Sequence, residues 1–379
     1  MRTEERETDL AAFALTQLRR LGVALGQSSG AEQFEALALV ASTWIDHASN
    51  GAPRWSAIGD DYSPYEFSVA FKRSGPELRV LAESQAEPAT ISTYWNAACA
   101  FNRLLAERYG VPLQNFDAMA SFFEPDGAPA AWVLWHALRF GRREVPDVRL
   151  YLNPAVKRNV ETEGLAVAAL ATIGLSGVLE AIARVLDGQT SVALVALDLE
   201  REARAKVYFS HHETTVARLV QIACDLDDPV ADDIAGFYEL LLGGVKRFVG
   251  VPVRSCFSVR AKDGVRPTQW NVSAPGEYFG NDGRARASVT KLLRHYRLDV
   301  DAYERCLEAL DISSITKGLV HTGITIQREE HEPRVTVYFS PLAHARFGRS
   351  TPDRADAWAK WCSAIPAPSA NSRIRERTA

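Results

Sequence analysis

Five segments of the chain share one pattern: a run of alternating or β-branched residues, a polar turn, and a second such run. This pattern is typical of a β-hairpin, because the side chains of a strand alternate between its two faces. The hairpins are predicted at residues 65–83, 131–154, 191–210, 253–275 and 319–341. Tyr208 follows Tyr151 by 57 positions and Tyr338 follows Tyr208 by 130, so one unit is predicted to repeat about every 60 to 65 residues.

Apolar positions at helical spacing occupy the stretches between the hairpins. Helices are predicted within 4–22, 32–48, 87–109, 164–187, 212–248 and 286–311. A single hairpin is only marginally stable in water, and an open ten-stranded sheet would leave two unpaired edges. We therefore predict an α+β fold in which five ββαα repeats close a ten-stranded antiparallel barrel inside an outer ring of helices. An open sheet without a cavity is the alternative.

One domain is expected over residues 1–365, with a helical N-terminal segment over 1–50 and a disordered tail over 366–379. The formal net charge of −4 argues against a nucleic-acid partner. The five cysteines form no CxxC pair, which argues against a disulfide framework and a zinc site. Without an apolar N-terminal segment or a run of 18 apolar residues, a cytoplasmic protein with no membrane partner is expected.

Basic residues and tyrosines share one face of several predicted strands. In the third hairpin Arg204, Lys206 and Tyr208 alternate with apolar residues. The same combination recurs as Arg149 with Tyr151 and as Arg334 with Tyr338. The apolar face suits packing against helices, so the basic face is predicted to line the lumen, where buried cations need an anion. A diphosphate meets that need, and tyrosine rings attract a carbocation. A solvated sheet face is the alternative.

Two titratable residues are also expected at the lumen. Glu66 alternates with Ser68 and Ala70, and its carboxylate could accept an N–H hydrogen bond or a proton. His136 faces inward if Trp132 and Leu134 share its face, and it could relay a proton near neutral pH. A structural histidine in an apolar strand is the alternative for His136.

The repeated ββαα plan, the Glu of SPYEFS, the RLYLNP segment, the Arg-x-Lys-x-Tyr strand and the final RVTVYFSP strand resemble one known family. This is the dimethylallyltryptophan synthase type of aromatic prenyltransferase, the ABBA-barrel family, and especially its bacterial indole prenyltransferases. The resemblance covers about residues 30 to 345. It implies transfer of a dimethylallyl group from dimethylallyl diphosphate to an indole, often that of tryptophan, by ionisation and electrophilic alkylation.

The resemblance also implies roles for particular residues. Glu66 matches the glutamate that binds the indole N–H, and His136 lies near a basic lysine of fungal members, so either could take the proton. The diphosphate-binding positions are matched by Arg79, Arg149, Arg204 and Lys206. The cation-shielding positions are matched by Tyr151, Tyr208 and Tyr338.

The fourth hairpin departs from this plan, since its second strand reads TQWNVS and has no tyrosine. By alternation, either Gln269 and Asn271 face inward or Trp270 does. The Gln-x-Tyr usual in the family favours Gln269, which joins Arg334 as a further expected diphosphate contact. Trp270 remains a candidate pocket residue, and Tyr278 is a candidate for the missing ring.

No cofactor or metal site is predicted, and magnesium is expected not to be required, because protein cations would neutralise the diphosphate. The expected partners are the two small substrates, and the protein is expected to be a monomer or weak homodimer. Two other functions stay open: prenylation of a phenolic or other nonindole aromatic, and a non-catalytic barrel that binds a diphosphate or hydrophobic ligand. The carboxylate of Glu66 favours an enzyme over a non-catalytic binder, because a protein that only binds its ligand has little use for that group.

Overall fold

The computed structural model describes residues 9–27, 31–44, 56–59, 61–140, 147–263, 266–312, 319–329 and 331–346. The strands are β1 (Tyr65–Phe71), β2 (Glu77–Glu83), β3 (Leu134–Phe140), β4 (Asp147–Leu152), β5 (Thr190–Asp198), β6 (Arg204–Thr215), β7 (Arg247–Arg260), β8 (Thr268–Pro275), β9 (His321–Glu329) and β10 (Glu332–Phe339). The helices are α1 (Leu10–Ala24), α2 (Ala31–Ala41), α3 (Ile91–Tyr109), α4 (Gln114–Phe123), α5 (Thr162–Ala171), α6 (Val178–Val185), α7 (Val216–Asp225), α8 (Ala231–Leu242), α9 (Asp282–His295), α10 (Val300–Ala309) and α11 (Ala343–Arg346).

The ten strands form a closed barrel in which every neighbouring pair is antiparallel. Consecutive strands are neighbours, and β1 closes the ring against β10 with Phe67 opposite Phe339. The predicted fold class and the five predicted hairpins are therefore confirmed. The predicted domain limit at residue 365 and the predicted tail lie outside the described residues.

The main hydrophobic core lies between the barrel and its helices. In β10 the side chains of Val335, Val337 and Phe339 are fully buried toward this layer. Burial of a side chain of this kind contributes about 1.5–3 kcal/mol. The alternate residues of the same strand, among them Thr336 and Tyr338, line the interior of the barrel. The alternation of the sequence thus separates a structural face from a functional face.

Local sequence fixes where the helices start and stop. Thr90 caps α3 in a capping box with Thr93, and Gly110 ends the same helix in the left-handed conformation. No helix among the residues described above is long and apolar enough to cross a membrane.

Candidate active site

The barrel encloses a cavity of about 800 Å³, and all ten strands contribute to its lining. This volume is near the upper end of the range for small-molecule sites. Seven of the residues predicted from the sequence line it: Glu66, Arg79, Arg149, Tyr151, Lys206, Tyr208 and Tyr338. The structure therefore brings these seven to one space.

The repeat arranges the lining in levels. The second strands of the five hairpins carry two sets of equivalent cavity residues. The set that we call the ring level is Leu81, Tyr151, Tyr208, Ser273 and Tyr338, and the set two residues earlier, the basic level, is Arg79, Arg149, Lys206, Asn271 and Thr336. The register supports these sets, because each ring-level residue shares a cross-strand partner with the basic-level residue of the next repeat; Tyr208 and Asn271, for example, both lie opposite Cys256. Because strand residues two apart lie on the same face, the two levels are stacked along the barrel.

Asp198 is the buried carboxylate around which the basic level is organised. It lies directly opposite Arg149 in the β4–β5 pair and is 1% exposed. Its carboxylate accepts two hydrogen bonds from Arg149, one of them with Nη2 3.0 Å from Oδ2, and Nη1 of Arg204 lies 3.1 Å from Oδ2. Burial alone would raise the pKa of Asp198, but the attraction of Arg149 and Arg204 holds it well below its ordinary value.

Glu77 is a second carboxylate that pairs with arginines of the barrel interior. Its Oε1 accepts from Nε of Arg79 at 2.7 Å and lies 3.4 Å from Nη2 of Arg334. Arg334 also contacts Glu329, with 3.1 Å between Nη1 and Oε2. Burial would raise the pKa of Glu77, but the attraction of Arg79 and Lys72 outweighs it and lowers the pKa to about 2. Sequence reasoning assigned no role to Asp198 or Glu77.

Lys206 differs from the arginines. Its side chain is buried and lines the cavity, and no ion pair within 4.0 Å is found for it in the part of the chain that the structure describes. Burial lowers its pKa to about 8, and the nearby charges of Arg149 and Arg204 act in the same direction. A bound anion would relieve both effects.

Gln269 sits in a β-bulge. The register of β8 against β7 shifts by one residue there, and Gln269 has φ of 55°. Its side-chain Oε1 accepts a hydrogen bond from Nη2 of Arg204 at 2.8 Å. Neither Gln269 nor Arg204 lines the cavity directly, and the same is true of Arg334. Each of the three precedes a basic-level residue by two positions on its strand: Arg204 precedes Lys206, Gln269 precedes Asn271, and Arg334 precedes Thr336.

Trp270 is on the outer face, so its prediction as a pocket residue is wrong. Its ring is fully buried 6.5 Å from Phe257 and 6.2 Å from Phe209, and its backbone N–H donates to Asp228 Oδ2 at 2.7 Å. Asn271 lines the cavity instead, which decides the alternation in favour of Gln269 and Asn271.

Tyr278 does not replace the missing ring. Its hydroxyl donates to the carbonyl of Val251 at 2.9 Å, and its ring meets the edge of Phe248 with the centroids 5.3 Å apart. It is not among the residues that line the cavity, so its predicted placement is wrong. The small side chain of Ser273 holds the fourth place of the ring level, and Asn271 holds the fourth place of the basic level.

His136 also points away from the lumen, contrary to the prediction. Its Nε2–H donates to Asn102 Oδ1 of α3 at 2.9 Å, and its ring packs edge-on against Phe101. Burial lowers the pKa of His136 to about 3, so the ring is neutral at ordinary pH. The prediction used Trp132 to set the alternation, but β3 begins only at Leu134.

Trp135 is a cavity residue that sequence reasoning missed. It lies directly opposite Tyr151, stacks on Trp132 with 3.9 Å between centroids, and donates from Nε1 to Glu83 Oε1 at 3.0 Å. Because residues two apart on a strand share a face, counting back in steps of two from Arg139 would have placed Trp135 on the lumen face. Tyr151 and Tyr208 lie close by, with ring centroids 5.7 Å apart, so this wall of the cavity is aromatic.

Glu66 lies directly opposite Leu81 of the ring level, two residues along β1 from Ser68, which faces Arg79. It is half-buried, and Oγ1 of Thr322 donates to its Oε2 at 2.6 Å. Arg254 and Glu277 line the cavity as well. A single lumen therefore holds cations at one level, and tyrosine rings and a carboxylate further along.

These features define a barrel enzyme that binds an anionic donor beside a second substrate. Residues 28–253, more than half of the chain, match the family described as tryptophan dimethylallyltransferase. The chain belongs to that family and is a prenyltransferase, as the sequence motifs predicted.

Solved structures give the same result. The 6-dimethylallyltryptophan synthase from Micromonospora olivasterospora, crystallised with DMASPP and Trp, is 27% identical, with 91% of this chain and 99% of that chain covered and a TM-score of 0.80. The 5-dimethylallyltryptophan synthase from Streptomyces coelicolor is 27% identical over 88% of this chain and 98% of that chain, with a TM-score of 0.77. The prenyltransferase PriB with product diphosphate is 25% identical over 88% and 97%, with a TM-score of 0.79.

Proposed function

We propose that this enzyme transfers the dimethylallyl group of dimethylallyl diphosphate to the indole ring of tryptophan or a tryptophan derivative. The observation that carries the proposal is the separation of charges in one cavity: cations at the basic level, and Glu66 with the tyrosine rings further along the strands. That separation matches a substrate pair in which an anionic leaving group and an aromatic N–H lie on either side of a cation.

The diphosphate is bound at the basic level by Arg79, Arg149 and Lys206. Arg149 is already oriented by Asp198, and Arg79 by Glu77, so little side-chain freedom is lost on binding. Lys206 contributes a buried charge that no carboxylate shares at close range among the described residues. These cations stabilise the negative charge that develops as the C–O bond of the donor breaks.

The allylic cation is held at the ring level. Tyr151, Tyr208 and Tyr338 line the cavity, and the electron-rich face of an aromatic ring attracts a cation while excluding water. The indole then supplies the electron pair for the new bond to the allylic carbon. Its N–H donates to Glu66, which fixes the ring that attacks.

Rearomatisation releases one proton for each bond formed, and Glu66 is its proposed acceptor. His136 cannot receive it, because its ring contacts α3 outside the lumen. Diphosphate leaves as the second product. We keep the prediction that magnesium is not required, because the arginines and the lysine supply the charge that a metal would otherwise bring.

The test is incubation of the protein with tryptophan and dimethylallyl diphosphate, with and without EDTA, followed by NMR of the product. We expect a prenylated indole under both conditions; loss of turnover in EDTA would refute the metal-free mechanism. Tyrosine and a phenol serve as competing acceptors, and a preference for either would move the function to nonindole aromatics.

Glu66→Gln tests the carboxylate itself. The variant keeps the size of the side chain but not its charge, so turnover should fall by about a hundredfold or more while pyrophosphate affinity stays within a fewfold of wild type. Titration calorimetry with pyrophosphate provides the control. If the variant instead binds pyrophosphate weakly but converts each bound donor at the normal rate, Glu66 only supports the barrel.

A further inference from the structure

The hydrogen bond between Thr322 and Glu66 spans an intervening strand. Glu66 is on β1 and Thr322 on β9, and β10 lies between them in the barrel. Oγ1 of Thr322 nevertheless donates to Oε2 of Glu66 at 2.6 Å, and both residues line the cavity. A hydroxyl at this distance from a carboxylate makes a hydrogen bond of the strong, charge-assisted kind.

The position of Thr322 is imposed from outside the barrel. Its neighbour His321 points to the opposite face, where Nδ1–H donates to Asp282 at 2.6 Å and Nε2 accepts from the hydroxyl of Tyr303 at 2.9 Å. Asp282 also accepts from the backbone N–H groups of Val320 and His321, both at 3.1 Å. The backbone that leads into Thr322 is therefore tied to α9 and α10.

A close backbone contact holds the same segment from the side of β8. A Cβ atom at Gly276 would lie 2.1 Å from the carbonyl oxygen of His321, so only glycine permits this approach. The strand end that carries Thr322 is thus fixed by a buried carboxylate, a buried histidine and a glycine contact. Its hydroxyl reaches Glu66 from a rigid support, which is what accurate positioning of a catalytic group requires.

We propose that Thr322 is a positioning residue that fixes the orientation of the Glu66 carboxylate toward the acceptor N–H. This inference rests on the proposed function of Glu66. A hydroxyl that donates to Oε2 restricts rotation of the carboxylate and so sets the direction in which its lone pairs point. A hydrogen bond donated to a carboxylate also favours its ionised form, which is the form that accepts an N–H.

Other titratable groups line the same cavity as Glu66. They include Arg79 on β2, Tyr151 on β4, Arg254 on β7, Tyr338 on β10, Tyr62 before β1 and Glu277 after β8. A change at Thr322 leaves all of them in place. A comparison of variants at this one position therefore isolates the effect of the hydroxyl.

The experiment compares Thr322→Val, which removes the hydroxyl at nearly constant volume, with Thr322→Ser, which keeps it. For T322V we expect kcat to fall by about tenfold or more, and the acidic limb of the kcat/KM profile to move to higher pH by about one to two units. We also expect a broader mixture of indole regioisomers and an unchanged dissociation constant for pyrophosphate. T322S should restore the wild-type pH profile.

Thr325→Val is the matched control, because it removes another lumen hydroxyl of the same strand, β9. It should leave the acidic limb where wild type has it. If T322V fails to fold, T322A removes the same hydroxyl and should give the same shift. A wild-type profile and product ratio in the hydroxyl-free variant would overturn the inference, as would equal impairment of T322S. Absence of indole prenylation by the wild-type enzyme would instead refute the proposed function.

Discussion

Asp198→Asn is expected to destabilise the unliganded barrel, because it leaves buried arginines without their counter-charge. Asp198 is 1% exposed and lies 3.0 and 3.1 Å from nitrogens of Arg149 and Arg204. Removing one partner of a buried ion pair costs about 3–5 kcal/mol. Asn keeps one acceptor oxygen, so the lower end, about 3 kcal/mol, is the expected loss.

That loss corresponds to a measurable change in melting temperature. At about 2.1 cal/mol/K per residue, the unfolding entropy of 379 residues is roughly 0.8 kcal/mol/K. The expected decrease in Tm is therefore about 4 °C. Differential scanning calorimetry of wild type and D198N at neutral pH measures it directly.

Pyrophosphate should reverse much of this loss. The anion binds beside Arg149 and Lys206 in the proposed site and supplies the negative charge that D198N lacks. The gain in Tm on saturation with pyrophosphate should thus be larger for D198N than for wild type. This comparison links the stability of the barrel to occupation of its basic level.

Asp147→Asn provides the matched control. Asp147 pairs with Arg139 at 2.9 Å, but both side chains are partly exposed, at 23% and 18%. A pair of this kind contributes less than about 1 kcal/mol. The reasoning is refuted if D198N melts no lower than D147N, or if saturating pyrophosphate leaves the D198N deficit unchanged.

Two further predictions follow from pKa values. Burial lowers the pKa of Lys206 to about 8, whereas an arginine at this position would stay charged. As the pH rises from 7 to 9, the affinity for pyrophosphate should therefore decline more steeply in wild type than in K206R, which titration calorimetry measures. Parallel declines would show that Lys206 does not bind the anion. Burial raises the pKa of Glu83 from 4.5 to about 7, so the stability that its protonated form contributes is fully present below pH 4.5 and is lost as the pH rises from there through 7. E83Q should therefore be more stable to denaturant than wild type at pH 8.5, by up to about 3 kcal/mol, and nearly equal to it at about pH 4; a constant difference would contradict the assignment.

The barrel was predictable because its information is local and repeated. Each hairpin shows its alternation within about twenty residues, and five similar hairpins leave few alternatives to a closed ring. The inward direction of Arg149, Lys206 and Tyr338 followed from alternation in the middle of a regular strand. Those predictions needed no knowledge of which strand lies beside which.

Alternation failed where the strands are irregular. His136 was misplaced because Trp132 precedes the first residue of β3. Trp270 was left undecided because the bulge at Gln269 adds one residue to β8, and a bulge reverses which side chains face inward. Neither a strand start nor a bulge has a clear signature in the sequence around it.

The carboxylates Asp198 and Glu77 were missed for a different reason. Each meets cations from other strands, and Asp198 is 49 residues from Arg149 in the chain. Sequence reasoning counted cations and inferred that an anion must enter to balance them. The structure shows that the protein supplies part of that balance itself, so the ligand completes the charge of the site.

The two walls of the cavity are chemically different. Besides the cations Arg79, Arg149 and Lys206, strands β2 to β6 contribute large apolar and aromatic residues to the lining: Leu81, Trp135, Tyr151, Leu194 and Tyr208. Strands β8 to β10 contribute mostly neutral polar residues: Asn271, Ser273, Thr325, Gln327 and Thr336, together with Tyr338. The carboxylate of Glu66 and the hydroxyl of Thr322 belong to β1 and β9, on the polar side.

This asymmetry gives each substrate a preferred side. An allylic cation is stabilised by ring faces, so we expect the donor's reactive carbon to lie against the aromatic wall beside Tyr151 and Tyr208. The acceptor's N–H is drawn to Glu66 on the other side. Ser273 occupies the ring-level position of the fourth repeat, and this small residue takes up less of the cavity than a tyrosine would. The interruption in the fourth repeat therefore leaves room for the second substrate to meet the cation.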